Sequence, residues 1–305
     1  MSGNGNIAAD LCLECHSRNG SAAKKLIRDP SHPVNLSPSA KGLTTTLPLF
    51  DAKGTVSDDG VVSCPTCHDP HRWNPLSGND GDHFDLEGNS QNSFLRLENS
   101  PSARLCENCH ADQGFIDKTE HDLLVTAPAS RNIVGQTPLE SGTCGVCHLT
   151  HNGRSEIVLW ARGYGMGNNI MERICNSCHS AEGPAKAKVP PVYLHPREKV
   201  LKITDPYKKG RPGYFPLFQG STGEYVTSGN ISCPSCHNVH RWNPLSAAKG
   251  NGVNTEGDLT NSFLRTPAAF EVCKECHGKD APLRKKYYHD ADKRKFKSFD
   301  DMFFQ

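Results

Sequence analysis

The stretch CPTCHDPH at residues 64–71 contains the motif around which the whole chain is organised. Its first five residues follow the pattern Cys-x-x-Cys-His, which recurs until all 14 cysteines of the 305 residues are used. This pattern is the attachment signal of c-type haem, in which two thiols bond covalently to the porphyrin and the next His binds the iron. The seven pairs of thiols are Cys12 and Cys15, Cys64 and Cys67, Cys106 and Cys109, Cys144 and Cys147, Cys175 and Cys178, Cys233 and Cys236, and Cys273 and Cys276.

Zinc sites and disulfide scaffolds are the alternative uses of paired cysteines. Neither needs a His directly after the second Cys of every pair, and His occupies only 15 of the 305 positions. A zinc site also needs four ligands, so the pairs would have to combine without any role for the His. We therefore expect seven covalently attached c-type haems, with zinc as the alternative.

The composition predicts a fold with little regular structure. Hydrophobic residues make up 35% of the chain, and it contains 27 Gly and 21 Pro. That is too little apolar surface for an ordinary core, so buried porphyrin faces are expected to supply the rest. The predicted fold class is mostly irregular coil with short α-helices and a few short β-hairpins, wrapped around a chain of seven haems.

Charge and hydropathy exclude several classes of partner. The net charge is +1, from 34 basic and 33 acidic residues, and no basic run suggests nucleic acid. No apolar stretch approaches the ~18 residues of a membrane span. Because c-type haem is attached outside the cytoplasm, we expect export to the periplasm, the cell surface or the medium. Residues 1–10 lack the apolar core of a signal peptide, so the chain is expected to be mature, trimmed or an internal piece.

An internal duplication organises the chain. CPTCHDPHRWNPLS, from Cys64, is echoed by CPSCHNVHRWNPLS, from Cys233, and NSFLR follows in both copies. Each copy carries three motifs, and the motif at Cys144 lies between the copies. The predicted organisation is a trihaem repeat over 1–130, a connection with the Cys144 haem over 131–172, and a second trihaem repeat over 173–305.

Local signals predict a hairpin in each copy and short helices at the motifs. Asp-Asp-Gly and Ser-Gly-Asn, flanked by apolar β-formers, favour the turns of the hairpins. The predicted hairpins cover 49–63, with its turn at 58–60, and 217–230, with its turn at 228–230. The predicted helices cover 102–110, 171–179 and 267–277.

The histidines number one more than seven six-coordinate irons require, since 15 are present. His83 has no counterpart in the second copy and lies among acidic residues, so we interpret it as a solvated loop residue, with calcium binding as the alternative. The proximal iron ligands follow the motifs: His16, His68, His110, His148, His179, His237 and His277. The expected distal ligands are His32, His71, His121, His151, His195, His240 and His289.

Chain reach limits which iron three of these distal histidines can bind. His71, His151 and His240 each follow a proximal His by three residues, and three extended residues span at most ~10 Å. That is too short to reach the opposite face of the same porphyrin, so each is expected to bind a neighbouring haem. The next haem along the chain is the simpler partner and the preceding haem is also self-consistent. The simpler scheme joins His71 to the Cys106 haem, His151 to the Cys175 haem and His240 to the Cys273 haem.

The duplicated Arg-Trp-Asn-Pro-Leu-Ser segment has two interpretations. Arg72 and Arg241 are candidates for pairing with haem propionates, since a guanidinium matches a carboxylate. Trp73 and Trp242 are candidates for packing on porphyrin. Alternatively, Asn-Pro forms a turn that the duplication has preserved.

The motifs resemble those of multihaem c-type cytochromes, here a heptahaem chain with doubled Cys-x-x-Cys-His motifs. The doubled pattern covers 64–110, 144–179 and 233–277, and the motif at Cys12 stands outside it. Extracellular and periplasmic cytochromes of metal-reducing bacteria are similar, including some that polymerise into filaments. The resemblance implies redox partner proteins or extracellular electron acceptors, with self-association into a filament as a further possibility.

The function we expect is electron transfer through a continuous row of seven bis-His haems. An iron with two His ligands has no vacant position for a substrate, and His/His ligation favours a low potential relative to His/Met. We therefore expect no catalytic residue and no enzyme activity. The alternatives are a multihaem reductase with one open haem and the protomer of a cytochrome filament.

The haem count is directly testable. Mass spectrometry of the denatured holoprotein should give the polypeptide mass plus seven haems, because all 14 cysteines belong to complete motifs. A mass that corresponds to free thiols or to bound zinc would refute the haem interpretation.

Overall fold

The computed structural model describes residues 6–71, 94–97, 99, 101–114, 116–117, 119–189, 200–202, 215–240, 263 and 265. Two compact units divide the chain. The first comprises Met1–Asp117 and His121–Gly163, and the second comprises Lys118–Glu120 and Tyr164–Gln305. The motif at Cys144, which the sequence predicts to be a connection, thus falls in the first unit together with the motifs at Cys12, Cys64 and Cys106.

Short helices and a small sheet are embedded in coil and turns. The α-helices are α1 (Ile7–Cys15), α2 (Cys64–Cys67), α3 (Arg104–Glu107), α4 (Leu123–Thr126), α5 (Pro138–Gly145), α6 (Ile170–Asn176) and α7 (Cys233–Cys236). Single 3₁₀ turns cover Ala23–Lys25, Ser39–Lys41, Ala111–Gln113 and Lys186–Lys188. The antiparallel strands are β1 (Val200–Lys202), β2 (Leu217–Phe218), β3 (Tyr225–Val226) and β4 (Ser228–Asn230), in the order β1-β4-β2-β3.

A buried Asn starts the helix that enters the first and the fifth motif. The Asn6 Oδ1 accepts hydrogen bonds from the backbone N–H groups of Ala8 and Ala9, at 3.0 and 3.3 Å. The Asn169 Oδ1 likewise accepts from the Glu172 N–H at 2.9 Å. These N-caps satisfy backbone donors that have no partner within the helix. Both Asn residues stand six positions before the first Cys of their motif, as the numbers 6 and 12, and 169 and 175, show.

The same two Asn side chains also hold the next motif in place. The Ser63 hydroxyl, directly before Cys64, donates to the Asn6 Oδ1 at 3.3 Å. The Ser232 hydroxyl, directly before Cys233, donates to the Asn169 Oδ1 at 3.0 Å. All four side chains are at least 95% buried. We call each of these contacts an Asn–Ser joint, and each one ties the start of one motif helix to the start of the next.

Backbone hydrogen bonds fix the Phe-Leu-Arg end of the duplicated segment, which the first copy shows at residues 94–96. In the first copy the Asp69 N–H donates to the Phe94 O at 2.7 Å and the Arg96 N–H donates to the Cys67 O at 2.8 Å. Phe94 has a left-handed φ of 59°, which bends the segment onto the motif. The Arg96 Nε donates to the Pro65 O at 2.7 Å, inside the motif itself. The segment is therefore a strap that fixes the second motif.

Corresponding straps lie on the sixth and on the fourth motif. The sixth uses Phe263, whose φ is 55°, and the Arg265 N–H donates to the Cys236 O at 2.9 Å. The fourth uses Leu159, whose φ is 48°, and the Ala161 N–H donates to the Cys147 O at 2.8 Å. The fourth motif is thus built like the second and the sixth. The sequence did not predict this likeness, because the fourth strap shares no side chain with Asn-Ser-Phe-Leu-Arg.

The hairpin of the second copy differs from the prediction. Residues 228–230 form β4, whereas the sequence predicts a turn there. Phe218 pairs with both Tyr225 and Asn230, so β2 is flanked by β3 and β4. A Cβ on Gly229 would lie 2.6 Å from the Phe218 O, so this Gly permits a close approach of two strands. In the first copy the predicted turn is present, and the Gly60 N–H donates to the Ser57 O at 3.0 Å.

The predicted helices are shorter than expected. The range predicted as 102–110 contains α3, and the range predicted as 171–179 contains most of α6. The range predicted as 267–277 lies outside the described residues. In the part of the chain that the structure describes, no helix is both long enough and apolar enough to cross a membrane.

The Asn–Ser joint should contribute measurably to stability. Asn169→Ala should lower the free energy of unfolding by about 1–3 kcal/mol, because it leaves buried N–H and O–H donors without their acceptor. In a double-mutant cycle with Ser232→Ala, we expect a coupling energy of about 1 kcal/mol. The measurement is denaturant unfolding of the holoprotein followed by circular dichroism. Ser221→Ala, at an exposed turn, is the control and should change little. Additivity of the two changes would show that the joint is not an energetic contact.

Candidate haem sites

The first cysteines of consecutive motifs contact each other in pairs. The thiols lie close enough to shift each other's pKa between the first motif and the second, the third and the fourth, and the fifth and the sixth. The three contacts are Cys12–Cys64, Cys106–Cys144 and Cys175–Cys233. The doubled-motif pattern in the sequence instead groups the second motif with the third, the fourth with the fifth and the sixth with the seventh. The Asn–Ser joints and the straps group the motifs in the same way as the contacts between cysteines.

These contacts shift the acidity of the thiols. The hydrogen bond from Cys64 lowers the pKa of the Cys12 thiol to about 6, and the nearby His16 adds to that effect. The same hydrogen bond raises the pKa of Cys64, and burial raises it further. Burial raises the pKa of Cys67 to about 11, and the charge of Cys109 contributes. The second motif therefore adjoins the third as well as the first, and the first four motifs are contiguous within the first unit.

Backbone carbonyls orient three of the proximal histidines. The His16 Nδ1 lies 3.3 Å from the Lys25 O, and the His179 Nδ1 lies 3.0 Å from the Lys188 O. The His148 Nδ1 similarly bonds the Val158 O. A carbonyl can only accept, so in each ring Nδ1 carries the proton and Nε2 keeps its lone pair. This is the arrangement by which proteins prepare an imidazole for metal ligation.

The His32 ring faces the proximal His110. Their ring centroids are 6.3 Å apart, and the ring planes make an angle of 71°. The His32 Nδ1 bonds the Pro33 O at 3.1 Å, which again leaves Nε2 as the ligating nitrogen. The sequence scheme joins His71 to the haem of this motif, and the structure instead places His32 opposite His110. His71 has 93% of its side chain exposed and lies 3.5 Å from Asp69.

The His151 ring faces the proximal His68 in a second pair of the same kind. Their centroids are 6.2 Å apart and their planes make an angle of 21°. The sequence scheme prefers the Cys175 haem for His151, and the structure instead places His151 at the Cys64 motif. The chain turns back here because residues 150–153 are bonded to the loop that carries His32. Sequence distance alone could not reveal that long-range contact.

Both separations suit two imidazoles on one iron. Metal–imidazole bonds of about 2 Å put the two ring centroids about 6 Å apart. Ordinary ring packing gives similar distances, as the 6.4 Å between His148 and Trp160 shows. The two His pairs differ from ordinary packing because each joins a motif His to a His from a distant segment. The residues therefore fit a haem iron with one proximal and one distal His.

A single pair of loops positions both distal histidines. The His32 N–H donates to the Thr150 O at 2.7 Å, and the Gly153 N–H donates to the Pro30 O at 2.7 Å. The Asn152 side chain completes the contact, since its Oδ1 accepts from the Arg28 N–H at 2.8 Å. Asn152 itself has a left-handed φ of 59°. We call this paired structure, residues 26–33 with 150–153, the distal-loop pair.

Burial keeps the distal imidazoles neutral. It lowers the pKa of His151 to about 4, and the neighbouring His68, His32 and His16 lower it further. Burial also lowers the pKa of His32, and the neighbouring His110 adds to that shift. The neutral form is the one that binds a metal, so neither ring has to lose a proton at neutral pH.

The remaining predicted ligands are less constrained by the structure. The His121 Nδ1 is buried, directly before Asp122, which caps α4. The His240 N–H donates to the Asn238 Oδ1 at 3.1 Å, as the His71 N–H does to the Asp69 Oδ1 at 3.2 Å. Outside the described residues lie Arg72, Trp73, His83, His195, Arg241, Trp242, Cys273, Cys276, His277 and His289.

No family model, curated protein or solved structure matches the chain. Among the described residues, no group of three or more His, Cys, Asp or Glu side chains is arranged to hold a metal ion. A six-coordinate haem iron takes only two protein ligands, so the imidazole pairs are the relevant feature.

The distal-loop pair predicts a shared effect on two haems. Asn152→Gly keeps the left-handed backbone accessible and removes the side-chain hydrogen bonds, so both His32 and His151 should lose part of their positioning. We expect a high-spin fraction in the EPR spectrum of the oxidised protein that is divided over two haems. Asn152→Asp retains the Oδ1 acceptor for Arg28 and should stay closer to the wild type. A spectrum of Asn152→Gly identical to the wild type would contradict a positioning role.

Proposed function

We propose that the protein transfers electrons through seven covalently attached c-type haems whose irons each carry two histidines. The observation that carries this proposal is the pair of imidazole contacts, His32 with His110 and His68 with His151. Each brings a distant His to the proximal His of a Cys-x-x-Cys-His motif at the separation that one iron requires. Bound haem supplies a reversible one-electron change at iron.

Side chains of the protein would attach each haem, ligate its iron and keep substrates from binding to the iron. The two thiols of each motif would hold the porphyrin covalently, and the motif His would bind the iron. At two of the sites His32 and His151 would supply a second imidazole, which would leave no open position for a substrate there. This favours electron transfer over a reductase, which needs one iron without a distal His.

The contacts between motifs support transfer from haem to haem. The sulfurs to which two porphyrins would be bonded are close neighbours at Cys12 and Cys64 and again at Cys106 and Cys144. Cys67 lies close enough to Cys109 for their charges to interact. Because electron tunnelling falls off steeply with distance, cofactors held at such adjacent sulfurs exchange electrons readily. We infer a continuous row through at least the first four motifs.

Exposed apolar side chains on α1 are consistent with porphyrin contact. Ile7 and Leu11 recur at the four-residue spacing of one helix face and are 51% and 64% exposed. Cys15 continues that face and is also exposed. A porphyrin bonded to the motif would cover these side chains.

Disulfides are the second use of the sulfur contacts. Cys12 and Cys64, Cys106 and Cys144, and Cys175 and Cys233 are neighbours, and all six are free thiols in the structure. Disulfides at these positions would leave the second Cys of every motif and the following His without a role. The haem proposal accounts for all three residues of the motif.

The haem proposal also implies export, because such haems are attached outside the cytoplasm. The redox chemistry indicates the class of the electron donor and acceptor, namely redox proteins or extracellular acceptors.

The ligand pairs predict two kinds of low-spin EPR signal. Nearly parallel imidazole planes, as in His68 and His151, donate into the same iron d orbital and give a rhombic signal. Nearly perpendicular planes, as in His32 and His110, leave two d orbitals close in energy and give a highly anisotropic signal. His151→Ala should therefore remove one haem equivalent of the rhombic signal and create one high-spin haem. His32→Ala should remove one equivalent of the highly anisotropic signal instead.

Carbon monoxide binding to the reduced protein gives an independent count. The wild type should bind none, and each variant should bind one equivalent. His83→Ala is the control and should resemble the wild type in both measurements. A full equivalent of high-spin iron in the wild type, or an unchanged spectrum in both ligand variants, would refute the proposed ligation.

A further inference from the structure

Arg162 is a half-buried cation beside the fourth motif. It directly follows Ala161, whose N–H donates to the Cys147 O at 2.8 Å. Two positions earlier, Trp160 packs against the proximal His148, with ring centroids 6.4 Å apart. The strap therefore holds the backbone of Arg162 next to the residues that would attach and ligate the fourth haem.

Among the described residues, one of the three nitrogens of the guanidinium has a protein partner. The Arg162 Nη2 donates to the Ser130 Oγ at 2.7 Å. The Nε and Nη1 atoms are both buried and have no hydrogen-bond partner in the part of the chain that the structure describes. In the described part of the chain, no Asp or Glu forms an ion pair with Arg162.

Arg96, on the corresponding strap of the second motif, shows the contrast. Its Nε donates to the Pro65 O at 2.7 Å, and its Nη1 donates to the Asp69 Oδ2 at 2.8 Å. Ala161 occupies the strap position that corresponds to Arg96, because both backbone N–H groups bond the second Cys of their motif. Arg162 is therefore an additional cation and not the structural Arg of the strap.

Buried N–H groups of a charged side chain need an anionic or polar partner. Leaving such groups without a partner is unfavourable, because they lose their hydrogen bonds to water on burial. A planar guanidinium is matched best by a carboxylate or a phosphate. Free carboxylates and phosphates in solution have this chemistry, and so do the propionates of a haem held at the same motif.

We propose that Arg162 binds a propionate carboxylate of the haem attached at Cys144 and Cys147. This inference rests on the proposed function and adds a residue to it that the sequence did not indicate, since the sequence pointed to Arg72 and Arg241. A cation at the haem edge favours the reduced iron, which carries one positive charge less. Arg162 therefore raises the potential of one haem relative to the same site without it.

The test is a spectroelectrochemical titration of the holoprotein and three variants. Arg162→Gln should lower the midpoint potential of one haem and leave the other six unchanged. Arg162→Lys restores the charge without the planar fork and should recover part of the shift. Arg131→Gln is the control, because Arg131 is a cation of the same unit with 62% of its side chain exposed, and it should not alter the titration.

Each outcome decides for or against the assignment. The assignment is overturned if the Arg162→Gln titration curve superimposes on that of the wild type. It is also overturned if Arg162→Gln and Arg131→Gln shift the wild-type curve in the same way. If Arg162→Gln does not accumulate as holoprotein, Arg162→Lys is measured in its place. The assignment is then overturned if Arg162→Lys has the potentials of the wild type and the same propionate bands in its resonance Raman spectrum. Mass spectrometry of the wild type keeps this separate from failure of the proposed function, which would show as missing haem.

A solution anion is distinguished by adding potassium phosphate or acetate at constant ionic strength. A propionate that is part of the haem predicts potentials independent of both anions. Potentials that change with phosphate or acetate in the wild type and not in Arg162→Gln would show a site for a free anion, and the propionate assignment would be wrong.

Discussion

The Asn–Ser joint is the contact on which the arrangement of the motifs depends. One Asn oxygen caps the helix of one motif and, through a buried Ser hydroxyl, fixes the start of the next. Consequently two first cysteines meet, although Cys12 and Cys64 are far apart in sequence. In a chain with 35% hydrophobic residues, such polar contacts replace much of an ordinary core. They can do so because burial strengthens hydrogen bonds and makes an unsatisfied group costly.

In the described residues, three pairs of motifs are built alike, whereas the duplication in the sequence indicates two copies. In the pairs that begin at Cys12 and Cys175, a helix leads into the first motif and a strap holds the second motif. At the pair of Cys106 and Cys144 the strap recurs, and another Asn takes part, because the Cys106 thiol bonds the Asn99 Oδ1 at 3.3 Å. The motif at Cys144 is therefore the second member of a pair, built by the same backbone contacts as Cys64 and Cys233.

The sequence predicted the features that depend on local patterns. The motifs, the short helices that contain them and the first hairpin turn at 58–60 could be found in this way. The contacts between histidines could not, because the contact of His151 with His68 depends on loops that meet only in the folded chain. The fourth strap was missed because the feature it shares with the other straps is backbone geometry, a left-handed residue such as Leu159, and not a side-chain pattern. Gly229 was misinterpreted as a turn, since a Gly in a closely packed strand looks the same in sequence.

In the proposed scheme, the distal-loop pair would link the ligation of two sites in one structural element. His32 and His151 come from segments that bond each other through backbone groups and through Asn152. Their proximal partners, His110 and His68, belong to motifs whose thiols Cys109 and Cys67 are close enough to interact. A displacement of the loops would therefore alter the distal ligands of two neighbouring irons together. In an electron carrier this arrangement is advantageous, because it keeps the ligand geometry of adjacent irons constant while the charge on them changes. The proposed electron transfer therefore depends on histidines that stay in place. Short loops that are hydrogen-bonded to each other hold these histidines even where helices and sheets are few.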